Sequence, residues 1–347
     1  MLPTKAYAAQ SVSAPLAPFT FERREPGPRD VLIDLFFCGV CHSDIHQVRD
    51  EWGGSRFPMV PGHEIVGRVT RAGAAVTRFK AGDLAGVGCM VDSCRACEPC
   101  KRGLEQFCEK RAAYTYNGTE MDRRTPTQGG YSSQIVVDEA FGLKITEGVD
   151  LAGVAPLLCA GITTWSPLRH WKAGKGSRVG VVGLGGLGHM AVKLAASLGA
   201  EVTVLSTSKA KEADARRLGA QGFALTSDKG TFKKLGGAFD LIIDTISAPH
   251  DYNQYLGTLR IDGTMVLLGV PPEPAKVAAF SLIGGRRSLA GSAIGGIAET
   301  QEMLDYCAAH QIVSDVEVIP VQQINQAYER TIKGDVRYRF VIDLKTL

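Results

Sequence analysis

The chain has 347 residues, 45% of them hydrophobic and 22% charged, with a net charge of +3. That length exceeds one ordinary hydrophobic core and suits two domains, and the balance of residue types excludes disordered and collagen-like chains. Mixed-sign charge without a basic tract offers no footprint for nucleic acid or an anionic membrane surface, so small molecules are the expected partners.

The first residues lack an apolar core followed by a small-residue cleavage site, and no apolar stretch reaches membrane-spanning length. The expectation is a cytoplasmic protein whose nine cysteines serve as thiolates rather than as a disulfide framework. Short β-type runs broken by Gly and Pro follow at residues 30–35, 65–70 and 131–137, predicting a twisted, largely antiparallel domain. From about Cys159 the pattern changes to alternating strand and helix, the mark of a parallel sheet covered by helices. Strands are expected at 178–182, 201–205, 239–244 and 264–268, with a helix at 187–198. Helices at 299–310 and 325–333 precede a last strand at 339–344, whose character resembles the first half, so the chain is expected to return to its first domain. The fold class is therefore α/β, a mainly β domain with a doubly wound one. The expected division is 1–155 with 298–347, and 156–297.

Within the β half, Cys94, Cys97, Cys100 and Cys108 form C-x2-C-x2-C-x7-C. This spacing lets four thiolates converge on one tetrahedral ion at about 2.3 Å, and a closed sulfur shell makes a structural zinc. The metal would hold a lobe at 89–110 too small for a core of its own. Free thiols, local disulfides and an iron–sulfur cluster are the alternatives this spacing leaves open. A second set of candidates is scattered: Cys41-His42-Ser43-Asp44-Ile45-His46, then Gly62-His63-Glu64, then Cys159 at the change of pattern. Singly these are ordinary buried residues.

Between the strand at 178–182 and the helix stands Gly183-Leu184-Gly185-Gly186-Leu187-Gly188, the context in which G-x-G-x-x-G binds a dinucleotide. Gly183 permits the turn, Gly185 lets backbone approach the pyrophosphate, and Gly188 allows close helix–strand packing, while the helix N-terminus attracts the negative charge. The end of the next strand reads Ser206-Thr207-Ser208-Lys209-Ala210-Lys211. It carries no carboxylate for a ribose 2′-hydroxyl, but it has hydroxyls and an ammonium that suit a 2′-phosphate. NADP(H) is therefore expected over NAD(H), with a dual-specificity site as the alternative.

Gly62-His63-Glu64 with Gly67, Gly73 and Val76 matches G-H-E-x2-G-x5-G-x2-V, and together with Cys41-His42-Ser43-Asp44, the cysteine lobe and the glycine turn the chain resembles the zinc-containing medium-chain dehydrogenases along its whole length. Glu51-Trp52-Gly53, residues 291–296 and residues 335–340 resemble the cinnamyl alcohol dehydrogenase branch, whose bacterial members are broad aldehyde reductases. The resemblance implies a GroES-like catalytic domain, a Rossmann cofactor domain and a homodimer. It implies that Cys41, His63 and Cys159 bind a catalytic zinc, making two zinc ions per chain. Two thiolates and one neutral imidazole leave one position open, as a Lewis acid needs. Glu64 could approach that metal, and Asp44 is expected to fix the His63 ring. Ser43 would relay the alcohol proton toward His46 and solvent. His42, Thr163, Ile294 and Arg337 are expected beside the cofactor with Gly186, Leu187, Ser206, Thr207, Ser208 and Lys211, and Trp52, Tyr114 and Tyr116 beside the substrate. The reading is a reversible hydride transfer between NADP(H) and a small alcohol or aldehyde. An NAD-linked polyol dehydrogenase, which typically has glutamate as third ligand, and a non-catalytic NADP(H) sensor are the rivals. Cys38, Cys89 and Cys307 take no role beyond small buried residues.

Overall fold

The computed structural model describes residues 1–347. The chain divides into two units, Met1–Ile162 with Gly295–Leu347, and Thr163–Ile294. No single helix is long and apolar enough to cross a membrane.

The first unit is built on a seven-stranded sheet with the order Leu143–Lys144, Leu84–Val87, Ile65–Ala72, Asp30–Gly39, Arg339–Asp343 and Val316–Pro320, while Gln134–Asp138 also pairs with Asp30–Gly39. The strands Asp30–Gly39 and Ile65–Ala72 bury consecutive residues, Val31, Leu32 and Ile33 in one and Ile65 and Val66 in the other, so both of their faces are covered over these stretches. The C-terminal strand pairs antiparallel with Asp30–Gly39, setting Val341 opposite Gly39 and Ile342 opposite Cys38. The expected return of the chain is thus a strand inserted in mid-sheet. Residues 131–133 do not continue the strand predicted at 131–137. Their backbone bonds go to two different strands, the Tyr131 carbonyl accepting from Tyr7 N at 2.9 Å and the Ser133 carbonyl from Leu35 N at 3.0 Å. The strands Leu2–Ala8 and Ala17–Arg23, paired antiparallel, were not foreseen.

The second unit is a six-stranded parallel sheet with the order Gly222–Leu225, Glu201–Ser206, Arg178–Val182, Phe239–Asp244, Leu259–Leu267 and Ser288–Gly291. In chain order this is 3-2-1-4-5-6, the doubly wound arrangement that leaves a crevice where the winding reverses, at the carboxyl ends of the first and fourth strands. Val179, Val181, Val182, Ile242 and Ile243 are fully buried, which explains why these strands read as continuous apolar runs. The helix Gly186–Ser197 starts one residue earlier than predicted, with Gly185 as its N-cap.

Candidate active site

The short helix His42–Val48 follows the strand Asp30–Gly39, with Cys41 at its N-cap. Asp44, in its first turn, is fully buried and is the hub of the site. Its Oδ2 accepts from Cys41 N at 2.9 Å and from the Tyr131 hydroxyl at 3.2 Å, and its Oδ1 accepts from Gly62 N at 3.1 Å. His63 Nδ1 lies 3.1 Å from the same Oδ1. A carboxylate can only accept, so Nδ1 carries the proton and Nε2 is left as the ligand atom. Gly62 has φ +102°, and an added Cβ would lie 2.6 Å from the Tyr131 ring and 2.8 Å from Cys38 Sγ. Only glycine lets the chain turn there and deliver His63.

Ligand atoms of Cys41, His63, Glu64 and Cys159 all lie within 4.8 Å of one another, and the two sulfurs are 4.0 Å apart. Zinc–sulfur bonds of about 2.3 Å in a tetrahedron put sulfurs about 3.8 Å apart, so the pair already has the required spacing. Glu64 is fully buried, its Oε1 accepting from Arg339 Nη2 at 2.5 Å while Oε2 has no partner. Arg339 also donates to the Val40 carbonyl at 2.7 Å. Burial drives the Glu64 pKa up to about 7, against the opposing charge of Arg339. A buried carboxylate within 4.8 Å of two thiols and an imidazole, with one of its oxygens lacking a donor, fits a cation, so the donor set suits zinc.

The four cysteines of the lobe form a second group within 4.8 Å, with Cys94 and Cys100 sulfurs 3.9 Å apart. Cys97 N points to Cys94 Sγ at 3.3 Å and Cys94 N to Cys108 Sγ at 3.4 Å. Backbone N–H groups from Ala96 and Cys97 lower the Cys94 pKa to about 6, favouring the ligating thiolate.

Of the other residues expected at the site, Ser43 Oγ is 3.6 Å from Cys41 Sγ. His46 Nδ1 bonds to the Glu51 carboxylate, and its ring lies 4.9 Å from that of Trp52. Tyr116 is buried and its ring stacks on His63 at 5.8 Å, whereas Tyr114 is half exposed. His42 and Arg337 are exposed, and Thr163 is buried in the helix Ala160–His170. Ile294 has φ +41°. Sequence reasoning missed Arg339, Tyr131 and Glu51 as partners, and it missed Cys89. Cys38 and Cys307 are buried, but the Cys89 thiol donates to the Leu158 carbonyl at 3.8 Å, and the neighbouring Cys159 thiol lowers the Cys89 pKa.

In the second unit, Gly183 adopts φ +88°, and an added Cβ at Gly185 would meet nothing within 4 Å. The backbone at the start of the helix is therefore open to a phosphate. At Gly188 an added Cβ would lie 2.2 Å from the Gly183 carbonyl oxygen, so the turn closes only on glycine. Ser206 ends the strand Glu201–Ser206, and its Oγ accepts from Ser208 N at 3.2 Å. Lys211 Nζ donates to the Leu184 carbonyl at 2.9 Å, which brings an ammonium to the glycine turn itself. Lys209 is engaged with Glu212.

A doubly wound sheet with this turn, and a Cys-His-Cys set with one position to spare, define a zinc- and dinucleotide-using dehydrogenase. Residues 27–147 match the alcohol dehydrogenase GroES-like domain and residues 186–309 the zinc-binding dehydrogenase domain, and the chain belongs to the zinc-binding alcohol dehydrogenase family. It is 57% identical over 342 residues to NADP-dependent alcohol dehydrogenase C of Mycobacterium bovis, with 99% of each chain covered. It is 54% identical over 345 residues to aldehyde reductase YahK of Escherichia coli, again with 99% of each covered. The solved structure of CAD from Helicobacter pylori complexed with NADP(H) is similar at a TM-score of 0.93 and 43% identity, covering 99% of both chains.

Proposed function

We propose that the chain is a zinc-dependent alcohol dehydrogenase and aldehyde reductase that exchanges a hydride between NADP(H) and a primary alcohol or aldehyde. The observation that carries this reading is the meeting of Cys41, His63 and Cys159 beside the buried carboxylate of Glu64, one of whose oxygens has no donor. When bound, zinc supplies Lewis-acid polarisation of the substrate oxygen and the nicotinamide supplies or accepts the hydride. The chain's own residues do the rest. Asp44 fixes His63 with Nε2 toward the ligand position, and the Ser43 hydroxyl, two residues from Cys41 and 3.6 Å from its sulfur, takes or returns the alcohol proton. His46, held by Glu51 against Trp52, passes that proton to and from solvent. Trp52 and Tyr116 provide aromatic wall for the substrate. Lys211, Ser206, Thr207 and Ser208 give the second-strand turn an ammonium and three hydroxyls for a 2′-phosphate, consistent with the NADP dependence named for the mycobacterial relative.

The same reading extends to assembly and location. The strand Ser288–Gly291 is one of the two edges of the parallel sheet, and Phe280 and Ile283 nearby in sequence are 81% and 67% exposed. An apolar, open sheet edge is a template for pairing with a second copy, so we expect a homodimer through this region. Both sulfur clusters need thiolates, and none of the nine cysteines is disulfide-bonded, which suits a reducing, cytoplasmic compartment.

The deciding experiment is metal analysis joined to steady-state kinetics across linear, branched and aromatic aldehydes with NADPH and with NADH. We expect two zinc ions per chain, aldehyde-dependent oxidation of NADPH, and a clear preference for NADPH in kcat/KM. Zinc without turnover of any aldehyde would instead make the chain a sensor, and equal efficiency with NADH would overturn the cofactor assignment.

A further inference from the structure

In the cofactor unit, the segment that follows the fourth strand, residues 245–250, runs beside the glycine turn. Thr245 makes the contact. Its N–H and its Oγ1 donate to the Val182 carbonyl at 3.1 and 2.8 Å. A methyl group added at Gly183 would lie 3.1 Å from Thr245 Oγ1, and one at Gly188 would lie 3.2 Å from it. The far end of the segment is tied back by one side chain. His250 Nε2 lies 3.0 Å from Asp244 Oδ2, and His250 Nδ1 lies 2.9 Å from the carbonyl oxygen of Ala248. The other Asp244 oxygen accepts from Ile246 N at 3.1 Å. The pair is largely removed from water, with His250 and Asp244 side chains 11% and 2% exposed.

The chemistry of these two contacts is decisive. A carbonyl oxygen can only accept, and an ionised carboxylate can only accept, yet a neutral imidazole carries a single N–H. Both short contacts are hydrogen bonds only when both ring nitrogens are protonated. Loss of that proton puts a lone pair against an oxygen at one end or the other.

We propose that His250 is a positioning residue for the dinucleotide site: its imidazolium ties residues 245–250 to Asp244, holds Thr245 against the glycine turn, and makes dinucleotide affinity fall as the proton is lost. The inference rests on the reading of the glycine turn as the cofactor site. The charged and titratable groups around the ring come from the strand and from the following helix Tyr252–Leu256. They are Asp244, Asp251 at the helix N-cap, and the rings of Tyr252 and Tyr255 at 4.4 and 5.6 Å. Burial pulls the imidazole pKa down, but the Asp244 carboxylate, the Ala248 carbonyl and Asp251 outweigh it and hold it above the ordinary value. Burial raises both tyrosines, so they stay neutral. The sign follows: the tie is complete below the raised histidine pKa and is lost as pH rises through it.

The test uses NADH as probe, because it lacks the 2′-phosphate that would titrate near pH 6 in its own right. Its dissociation constant is read from nicotinamide fluorescence on the intact protein between pH 6 and pH 9. The wild type should weaken about fivefold across a transition centred above pH 6.5, as the competent fraction of the turn falls. His250→Gln should bind at every pH like the wild type at high pH, with no transition. In Asp244→Asn the oxygen still accepts from Ile246 N while the NH2 group donates to a neutral Nε2, so the tie no longer needs the second proton and this variant should lose the transition, an outcome a merely structural residue would not produce. Imidazole nitrogen–proton correlation spectra of the wild type should show both His250 nitrogens protonated at pH 7. A single protonated nitrogen there, or an unchanged pH transition in His250→Gln, overturns the proposal. Tight NADH binding independent of pH overturns it while leaving the cofactor site standing. A wild type that binds neither NADH nor NADPH at any pH removes the site and the proposal together.

Discussion

Asp44 shows how much one side chain can settle. Its two oxygens take donors from Cys41, Gly62, His63 and Tyr131, so it fixes one ligand's ring, the backbone of another and the glycine turn between them. Asp44→Asn preserves the shape but replaces one acceptor with an NH2 group facing two donors. Partners of this kind typically contribute about 10–100-fold to metal affinity or activity. The expected outcome is a loss of kcat/KM in that range together with faster release of one zinc, but not both, to a chelator. Unchanged zinc release would mean that Asp44 does not orient His63. The residue scale is also where reading from sequence stops. Cys41, His63 and Cys159 could be proposed because a family signature surrounds them, whereas Arg339 stands 275 residues from Glu64 in a strand that reads as ordinary β. Nothing local marks it as the partner of a carboxylate.

At the scale of elements, the cysteine lobe and the second-strand turn differ in what holds them. From Cys94 to Arg111 the only buried apolar side chains are Cys100 and Cys108, and Phe107 is 52% exposed. The lobe therefore lacks a core, and metal binding supplies its folding energy. Cys97→Ser should leave the far-ultraviolet spectrum of the protein nearly intact but make residues 94–111 a site of rapid tryptic cleavage. A lobe as resistant as the wild type's would show that side-chain packing, not metal, maintains it. The second-strand turn holds its shape without ligand, through Ser206, Ser208 and the Lys211 bond to Leu184. A charge-assisted bond to a phosphate contributes about 1.5–3 kcal/mol, so Lys211→Ala should lower kcat/KM for NADPH by about 10–100-fold with NADH little affected. An equal loss for both cofactors would place Lys211 in support of the glycine turn instead. Strands with a short apolar run were legible in advance: Arg178–Val182 and Phe239–Asp244 each hold one between turn residues. The strand Val316–Pro320 and the hairpin Leu2–Ala8 with Ala17–Arg23 did not, because their burial is partial and their pairing is set by neighbours far off in sequence.

At the scale of the whole molecule, the first unit is discontinuous, and its last segment supplies both a mid-sheet strand and a charge beneath the metal site. Arg339 and Glu64 have side chains 6% and 0% exposed, so solvent screens their interaction little. Breaking such a pair from one side is costly, about 3–5 kcal/mol, because the remaining charge is stranded. Arg339→Met keeps the backbone pairing of Arg339–Asp343 and a similar stem, and removes only the guanidinium. The expected loss in urea unfolding of the zinc-replete protein is therefore of that size, well above what a conservative core change produces. The double variant Glu64→Gln with Arg339→Met removes the stranded charge as well, and it should be more stable than Arg339→Met alone by at least about 1 kcal/mol. Simple additivity of the two single losses would mean that the C-terminal strand holds the sheet without being electrostatically coupled to the site. Non-additivity would show that the chain's return completes the catalytic centre as well as the fold, and that the two functions of the segment meet in one ion pair.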